Sequence, residues 1–202
     1  MKLLRLDVNK KETRFEPVPE IYSRLGGRAL IARLLLEEIP PTCDALGPHN
    51  KLIVAPGLLG GAGVTTAGRL SIGGKSPLTG GVKEANAGGT AGDTLGRMGI
   101  KAIVVEGAPA KGELFLLHVM NDKAELLPAD EVRGLGTYAT SDRLQERFGE
   151  DATVISIGQA GEGLMTGAGI CVTGDGDQRS NHAARGGLGA VMGSKGLKAI
   201  VI

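Results

Sequence analysis

Apolar and polar positions change rhythm several times along the chain, and each change marks an element. From Lys2 to Val18 the run KLLRLDVNKKETRFEPV alternates on either side of a charged stretch near Asn9 to Lys11, the pattern of two strands and a turn. PEIYSRLGGRALIARLLLEEI (19–39) then places Ile21, Leu25, Ala29, Ala32, Leu35, Leu36 and Ile39 at helical spacing, ending at Pro40-Pro41. Gly26-Gly27 predicts a break or a close contact in its first half. NKLIVAPG (50–57) and AGRLSIGGKSP (67–77) read as short strands. A glycine-rich stretch enters a helix near Gly89 and leaves into a strand at 101–106. GELFLLHVMN (112–121) and AELLPA (124–129) form strands joined at Asn121-Asp122, and a helix follows at 138–148. ATVISIG (152–158) is a strand, GQAGEG (158–163) a turn, GAGICVTG (167–174) a strand and DGDQRSN (175–181) a polar loop. A second glycine-rich stretch and its strand finish the chain.

These last two stretches are copies. ANAGGTAGDTLGRMGIKAIVV (85–105) matches HAARGGLGAVMGSKGLKAIVI (182–202) at an offset of 97, with Gly89, Gly92, Gly96 and Gly99 falling on Gly186, Gly189, Gly193 and Gly196. The expected architecture is therefore α+β. It is a β-rich platform of two pseudo-twofold halves, each with a glycine-headed helix, forming one domain over 1–202.

Composition sharpens this picture in two respects. Glycine reaches 34 of 202 residues while aromatics are 2% and tryptophan is absent. Because the glycines alternate with apolar strands, the chain reads as folded with many special backbone positions. A formal net charge of +1, from 23 basic and 22 acidic residues, argues for neither nucleic acid nor an acidic membrane surface as partner. No apolar run is long enough to span a membrane, and the charged start MKLLRLDVNKKE is unlike a signal peptide, so a cytoplasmic location is expected. Cys43 and Cys171 stand far apart, which predicts two small buried side chains and neither a disulfide framework nor a cluster cage.

Candidate chemistry lies in the glycine stretches. Gly88-Gly89 and Gly186-Gly187 each precede a helix, where unpaired N–H groups favour an anion such as phosphate. Gly92/Gly96 and Gly189/Gly193 are spaced i, i+4, which suits close packing of a helix or of a flat ligand. Packing alone also explains such glycines, and GGLGAVMG is not the dinucleotide fingerprint, but anion binding is the preferred reading. Arg69, Lys75, Arg185 and Lys195 lie beside glycine turns and offer cations to an anion, although each is also an ordinary surface charge. A carbonyl at Asn86 would suit a hard cation such as magnesium. His49, His118 and His182 have no metal-ligand spacing; His118 reads as a core histidine, and His182 could face a ligand.

Together GRLSIGGKSPLTGG, EANAGGTAGDTLGRMGIKAIVVEG, SIGQAGE and ARGGLGAVMGSKGLKAI resemble the N-terminal domain of the tungsten-containing aldehyde:ferredoxin oxidoreductase family, essentially end to end. The resemblance implies a platform under a tungsten-bis(molybdopterin) cofactor whose phosphates are bridged by magnesium. The enzyme would oxidise aldehydes to carboxylic acids with ferredoxin as acceptor. By resemblance, main-chain carbonyls at Asn86 and at His182 or Ala183 hold the magnesium. The internal repeat pairs Asn86 with Ala183, whereas motif matching leans to His182. Arg69 matches the arginine between a pterin and the [4Fe-4S] cluster. Lys75, Ala87, Gly88, Gly89, Arg185, Gly186 and Gly187 complete the implied cofactor-binding set.

In the family the cluster cysteines, the acid–base residues and the substrate channel belong to a further helical part that this sequence does not contain. The chain is therefore expected to be inactive alone, with no catalytic residue of its own. It would work with the remaining domains or subunit of the oxidoreductase and only indirectly with ferredoxin, and it is expected to form a homo-oligomer. The alternatives are a non-catalytic pterin or nucleotide carrier or assembly subunit, and a purely structural subunit. Which aldehyde is used, tungsten or molybdenum, and fragment or natural subunit all stay open.

Overall fold

The computed structural model describes residues 1–174 and 181–202. The first half runs β1 (Lys2–Asp7), β2 (Glu12–Pro17), a 3-10 turn (Glu20–Tyr22), α1 (Gly27–Glu38), β3 (Leu52–Pro56), β4 (Leu70–Lys75), β5 (Val82–Ala87), α2 (Ala91–Arg97) and β6 (Ile100–Glu106). The second half runs β7 (Phe115–Val119), β8 (Ala124–Pro128), a 3-10 turn (Asp130–Val132), α3 (Thr137–Phe148), β9 (Val154–Ser156), α4 (Gln159–Glu162), β10 (Ile170–Val172), β11 (Asn181–Ala183), α5 (Leu188–Ser194) and β12 (Leu197–Val201).

Each half makes one six-stranded sheet, in the orders β2-β1-β6-β3-β4-β5 and β8-β7-β12-β9-β10-β11. The second order is the first with every strand advanced by six. Within each sheet the first and last strands of the half pair in parallel, β1 with β6 and β7 with β12, while the other pairings are antiparallel. The duplication visible at 85–105 and 182–202 thus extends over the whole chain, and the α+β, pseudo-twofold expectation holds.

Strand alternation assigns the layers. Leu4, Leu6, Leu52, Val54, Ile103 and Val105 point inward from the first sheet and meet Leu117, Ile155, Ile157, Ile170 and Ile200 from the second. The alternate positions Leu3, Ile53, Ala55, Ala102 and Val104 point outward and are covered by Leu30, Ile31, Leu34 and Leu35 of α1. On the far side Leu116, Val154, Ala199 and Val201 are covered by Leu144 of α3. The short helices α2 and α5 add Ala91, Leu95, Leu188, Val191 and Met192 to the core between the sheets. At the carboxyl end of α1, Glu38 accepts from Arg5 at 2.7 and 2.8 Å and from Lys51 at 2.6 Å. Burial pushes the Glu38 carboxyl up, but these donors outweigh it and hold it at about 2.

The symmetry reaches single side chains. The parallel pairs slip register at Lys101 and at Lys198, which stand 97 apart. Both lysines are buried, and burial lowers the pKa of each. Each ammonium donates to a carbonyl beyond a 3-10 turn, Ser23 at 2.8 Å and Leu135 at 2.7 Å. Lys198 also reaches Glu162.

The paired glycines are sites of contact with backbone. A Cβ on Gly92 would lie 2.1 Å from the Gly68 oxygen, and one on Gly96 would lie 2.1 Å from the Gly60 oxygen. In the other half Gly189 faces the Gly169 oxygen at 2.4 Å and Gly193 the Gly161 oxygen at 2.0 Å. The i, i+4 faces of α2 and α5 are therefore filled by loops and, at Gly193, by α4 of their own half, which settles the use of these four positions in favour of packing.

Local expectations needed correction in several places. The 19–39 run is a 3-10 turn, a break and α1. Gly27 has φ +48°, and a side chain on Gly26 would meet the Leu58 nitrogen at 2.6 Å, so no straight helix fits. The turn at 158–163 contains the helical turn α4. Edge strands β5 and β11 went unpredicted because VKEANA and NHA carry little apolar alternation. In the polar stretch 175–181, Asn181 opens β11 and the other six positions lie outside the described residues. His118 is half-buried and packs on Phe148, with ring centroids 4.5 Å apart. Lys195 is buried, not a surface cation, and donates to the Gly47 and Gly107 oxygens at 2.9 and 2.8 Å.

Two predictions follow from this packing. Gly96→Ala and Gly193→Ala should each lower unfolding free energy by about 1–3 kcal/mol, since a methyl is forced onto a carbonyl. Gly167→Ala, with nothing within 4 Å, should be near neutral. Urea titration would compare all three. Burial lowers the Lys195 pKa from 10.5 to about 8. Below pH 8 the fold carries the full cost of a buried charge. Between pH 8 and 10.5 the unfolded chain holds the extra proton, so this contribution to stability rises with pH. The stability advantage of wild type over Lys195→Met should therefore grow across that window, and a constant difference would contradict it.

Candidate functional site

Edge strands β5 and β11, one from each half, lie against one another and bring the two predicted segments together. On β5, Ala85 and Ala87 point into the core while Glu84 and Asn86 face outward. Antiparallel register sets Ser71 of β4 opposite Asn86. A polar chain results. Arg69 donates to the Asn86 side-chain oxygen, and the Asn86 amide lies 3.4 Å from the Ser71 hydroxyl. Ser71 donates to Glu84 at 2.6 Å, and Arg28 donates to the other Glu84 oxygen at 3.3 Å. The Arg69 guanidinium is exposed, and its Nη1 would lie 4.0 Å from a Cβ on Gly88. The same Cβ would lie 2.9 Å from the Asn181 side-chain oxygen. Arg69, Asn86, Gly88 and Asn181 thus share one corner of the seam.

On β11, His182 is exposed and Ala183 is buried. The outward residues of the two edge strands are therefore Asn86 and His182, although the 97-residue offset pairs Asn86 with Ala183. The second turn holds one residue more: Ala184 to Gly187 separate β11 from α5, whereas Gly88 to Thr90 separate β5 from α2. Main-chain carbonyls along a strand point alternately to its two edges, so equivalent strand positions present equivalent carbonyls.

The glycine turns dock across the seam. A Cβ on Gly89 would lie 2.3 Å from the Thr173 oxygen, which accepts the Thr90 N–H at 3.1 Å. Reciprocally, the Ser76 hydroxyl donates to the Gly186 oxygen at 2.8 Å. Thr173 and Ser76 are themselves 97 apart. Gly186 is capped by the Lys83 side chain, and Gly187 by the Thr166 oxygen. The Gly189 N–H also bonds to protein, to the Ala168 oxygen at 2.9 Å. Lys75 donates to the Pro41 and Cys43 oxygens at 2.5 and 2.6 Å, tying down the segment after α1.

Beside β5 the structure adds two cations that sequence reasoning missed, Arg28 and Lys83, to the expected Arg185. With Glu84 these three line a groove of about 470 Å³. Arg28 and Lys83 carry no sequence signal, since α1 and β5 meet only through the tertiary fold. Among the described residues no group of three or more His, Cys, Asp or Glu side chains is placed to hold a metal ion. Nor is any helix there long and apolar enough to cross a membrane.

A sequence model of the aldehyde ferredoxin oxidoreductase N-terminal domain matches residues 3–202. The chain is 39% identical to the tungsten-containing aldehyde ferredoxin oxidoreductases of Pyrococcus furiosus and Thermococcus kodakarensis, covering 100% of this chain and 33% of each relative. It is 29% identical to the WOR-like subunit of an aliphatic sulfonate oxidoreductase from Pyrococcus furiosus, over 99% of this chain and 34% of that one. A chain of the active-site complex BamBC of benzoyl coenzyme A reductase, solved with 1,5-dienoyl-CoA, superposes with a TM-score of 0.91 at 32% identity, over 100% of this chain and 30% of that chain. The chain spans about a third of the length of these relatives, and by fold and sequence it belongs to the aldehyde ferredoxin oxidoreductase family as its N-terminal domain.

Proposed function

We propose that this chain is the cofactor-supporting platform of a tungsten or molybdenum oxidoreductase, and that the β5–β11 seam is the face the cofactor rests on. The observation that carries the reading is the meeting of two equivalent edge strands, each followed by a glycine turn, across a pseudo-twofold. A cofactor with two like pterin arms would find two like sets of contacts there. The relatives support this from another side. Their names specify different reactions, on aldehydes, aliphatic sulfonates and a CoA thioester, yet they match this chain end to end. What they share in this domain is then not the choice of substrate.

The residues fit such a group through their donor chemistry. Exposed Arg69 and Arg185 offer N–H donors to phosphate oxygens, and Arg28 and Lys83 add charge beside the seam. A magnesium ion would take main-chain oxygens, of Asn86 from one half and of His182 from the other; strand parity favours His182 over Ala183. When bound, the tungsten cofactor supplies the two-electron redox chemistry. This chain's residues orient it: Asn86 holds the Arg69 side chain, and Ser71 and Glu84 hold Asn86 and Arg28 in turn. Lys75 and the packed glycines Gly89, Gly186 and Gly187 act one step back, fixing the turns that present Ala87, Gly88 and Ala183. Oxidation itself, with ferredoxin as acceptor for the aldehyde enzymes, would need the polypeptide that makes up the other two thirds of the relatives.

Arg69→Ala separates this reading from a structural one. In a full-length oxidoreductase carrying this domain it should lower tungsten or molybdenum content, since losing a charge-assisted hydrogen bond costs about 1.5–3 kcal/mol. The thermal midpoint of the isolated 202-residue chain should not move, because Arg69 is exposed. Unchanged metal content with a lowered midpoint would make Arg69 structural. The isolated chain should contain neither tungsten nor pterin by elemental analysis and fluorescence; stoichiometric metal in it would show that one third of the relatives' length suffices.

A further inference from the structure

The groove between α1 and β5 draws its cations from both halves. Arg28 stands in the first turn of α1, Lys83 on β5 and Arg185 in the turn after β11. The Lys83 stem lies over Gly186, next to Arg185, so the two halves touch where the cations meet. One carboxylate lines the same groove, and it is already engaged: Glu84 accepts from Ser71 at 2.6 Å and from Arg28 at 3.3 Å. Among the described residues Lys83 and Arg185 have no carboxylate partner. Three cations against one carboxylate leave two positive charges facing about 470 Å³ of groove. The remaining wall is apolar, made by Ile31 and Ala32 of α1 and by Val82, which is 53% exposed. The duplication provides an internal control. The helices α1 and α3 are both twelve residues long and begin 110 positions apart, so Arg28 and Ala32 correspond to Tyr138 and Asp142. Across the 97-residue repeat Arg185 corresponds to Gly88. The scaffold therefore does not require these arginines, since its own second copy does without them.

We propose that this groove is a binding site for one phosphate monoester, its phosphoryl oxygens held by Arg28, Lys83 and Arg185 and its organic part laid along Ile31, Ala32 and Val82. The excess of two positive charges matches a phosphomonoester, which carries about −1.5 to −2 at neutral pH. Guanidinium groups grip phosphate oxygens bidentately, and the ammonium adds a point charge. The volume lies within the range of about 300–1,000 Å³ that whole small molecules occupy, so the phosphoryl group needs a body attached to it to fill the groove. The apolar wall is where such a body gains contact. The site is also one-sided: two like cofactor arms on a pseudo-twofold would call for two like grooves, and positions 138, 142 and 88 do not repeat this one. The inference rests on the platform reading only for one of its two sources, the phosphate end of a single cofactor arm; the other is a free phosphate ester of the same chemistry.

Titration calorimetry with adenosine monophosphate and with inorganic phosphate tests it on the chain as it stands. One nucleotide should bind per chain, and phosphate should compete with it more weakly. Arg28→Gln removes an exposed charge, and Lys83→Met removes a charge while keeping a stem over Gly186. Each should weaken both probes by about tenfold or more and leave the thermal midpoint in place. Val82→Ser should weaken the nucleotide and spare phosphate. Lys111→Met, a cation outside the groove, should change neither. A chain that binds neither probe overturns the proposal, and so does binding that Lys111→Met weakens as much as Lys83→Met, the mark of a diffuse charge effect. Repeating the titration on a full-length oxidoreductase carrying this domain identifies the source. Nucleotide that still binds with the cofactor in place marks a free ester, and nucleotide excluded until the cofactor is removed marks the phosphate end of a cofactor arm. An Arg69→Ala enzyme that keeps its metal would fail the platform reading alone, and a chain that ignores both probes would fail this inference alone.

Discussion

Backbone packed against backbone is the constraint on which the rest of the structure depends. Where α2 and α5 enter the core, carbonyl oxygens of Gly60, Gly68, Gly161 and Gly169 lie where a Cβ would have to be. At the seam Gly89 is pressed onto the Thr173 oxygen, and Gly186 holds the Ser76 hydroxyl. These contacts bury polar main-chain groups without leaving them unpaired, because loops and helix starts bond to each other. They also let two six-stranded sheets and their plugging helices close over a core of Leu, Ile, Val and Ala with scarcely an aromatic side chain. The composition that looks anomalous in the sequence, rich in glycine and poor in aromatics, is the composition such close approach demands.

The same approach shapes the seam. Each half alone would leave an edge strand, β5 or β11, with a row of unpaired main-chain groups. Docking the glycine turn of one half on the strand end of the other brings these edges together and leaves a polar strip on the outside, with Arg69 and Asn86 at one corner, His182 on the other strand and Arg185 in the turn after it. The halves are equivalent in path and not in chemistry. Lys101 and Lys198 bulge alike, but among the described residues only Lys198 has a carboxylate partner, Glu162. The helices α1 and α3 pack alike, but positions 21, 32 and 36 are Ile, Ala and Leu where 131, 142 and 146 are Glu, Asp and Glu. Duplication set the scaffold, and divergence set what each face can bind.

Much of this was legible in the chain. The 97-residue repeat determined the pseudo-twofold, since side chains that recur in order at fixed spacing recur in structure. Alternation and turn residues located most strands, and the motifs around KSPLTGG and RGGLGAVMGSK carried the family, which the relatives establish. Only the tertiary structure decided the rest. The edges β5 and β11 escaped because an edge strand is specified by its neighbour's hydrogen bonds, and VKEANA and NHA have little pattern of their own. Lys195 reads in sequence as a surface cation beside a glycine turn, yet it is buried between the Gly47 and Gly107 carbonyls, which come from segments far away along the chain. Whether a glycine faces a ligand or a carbonyl is likewise invisible locally: Gly92 and Gly189 look like a binding motif and are packing, because the occupant of the space beside a glycine is chosen by whatever the fold brings there.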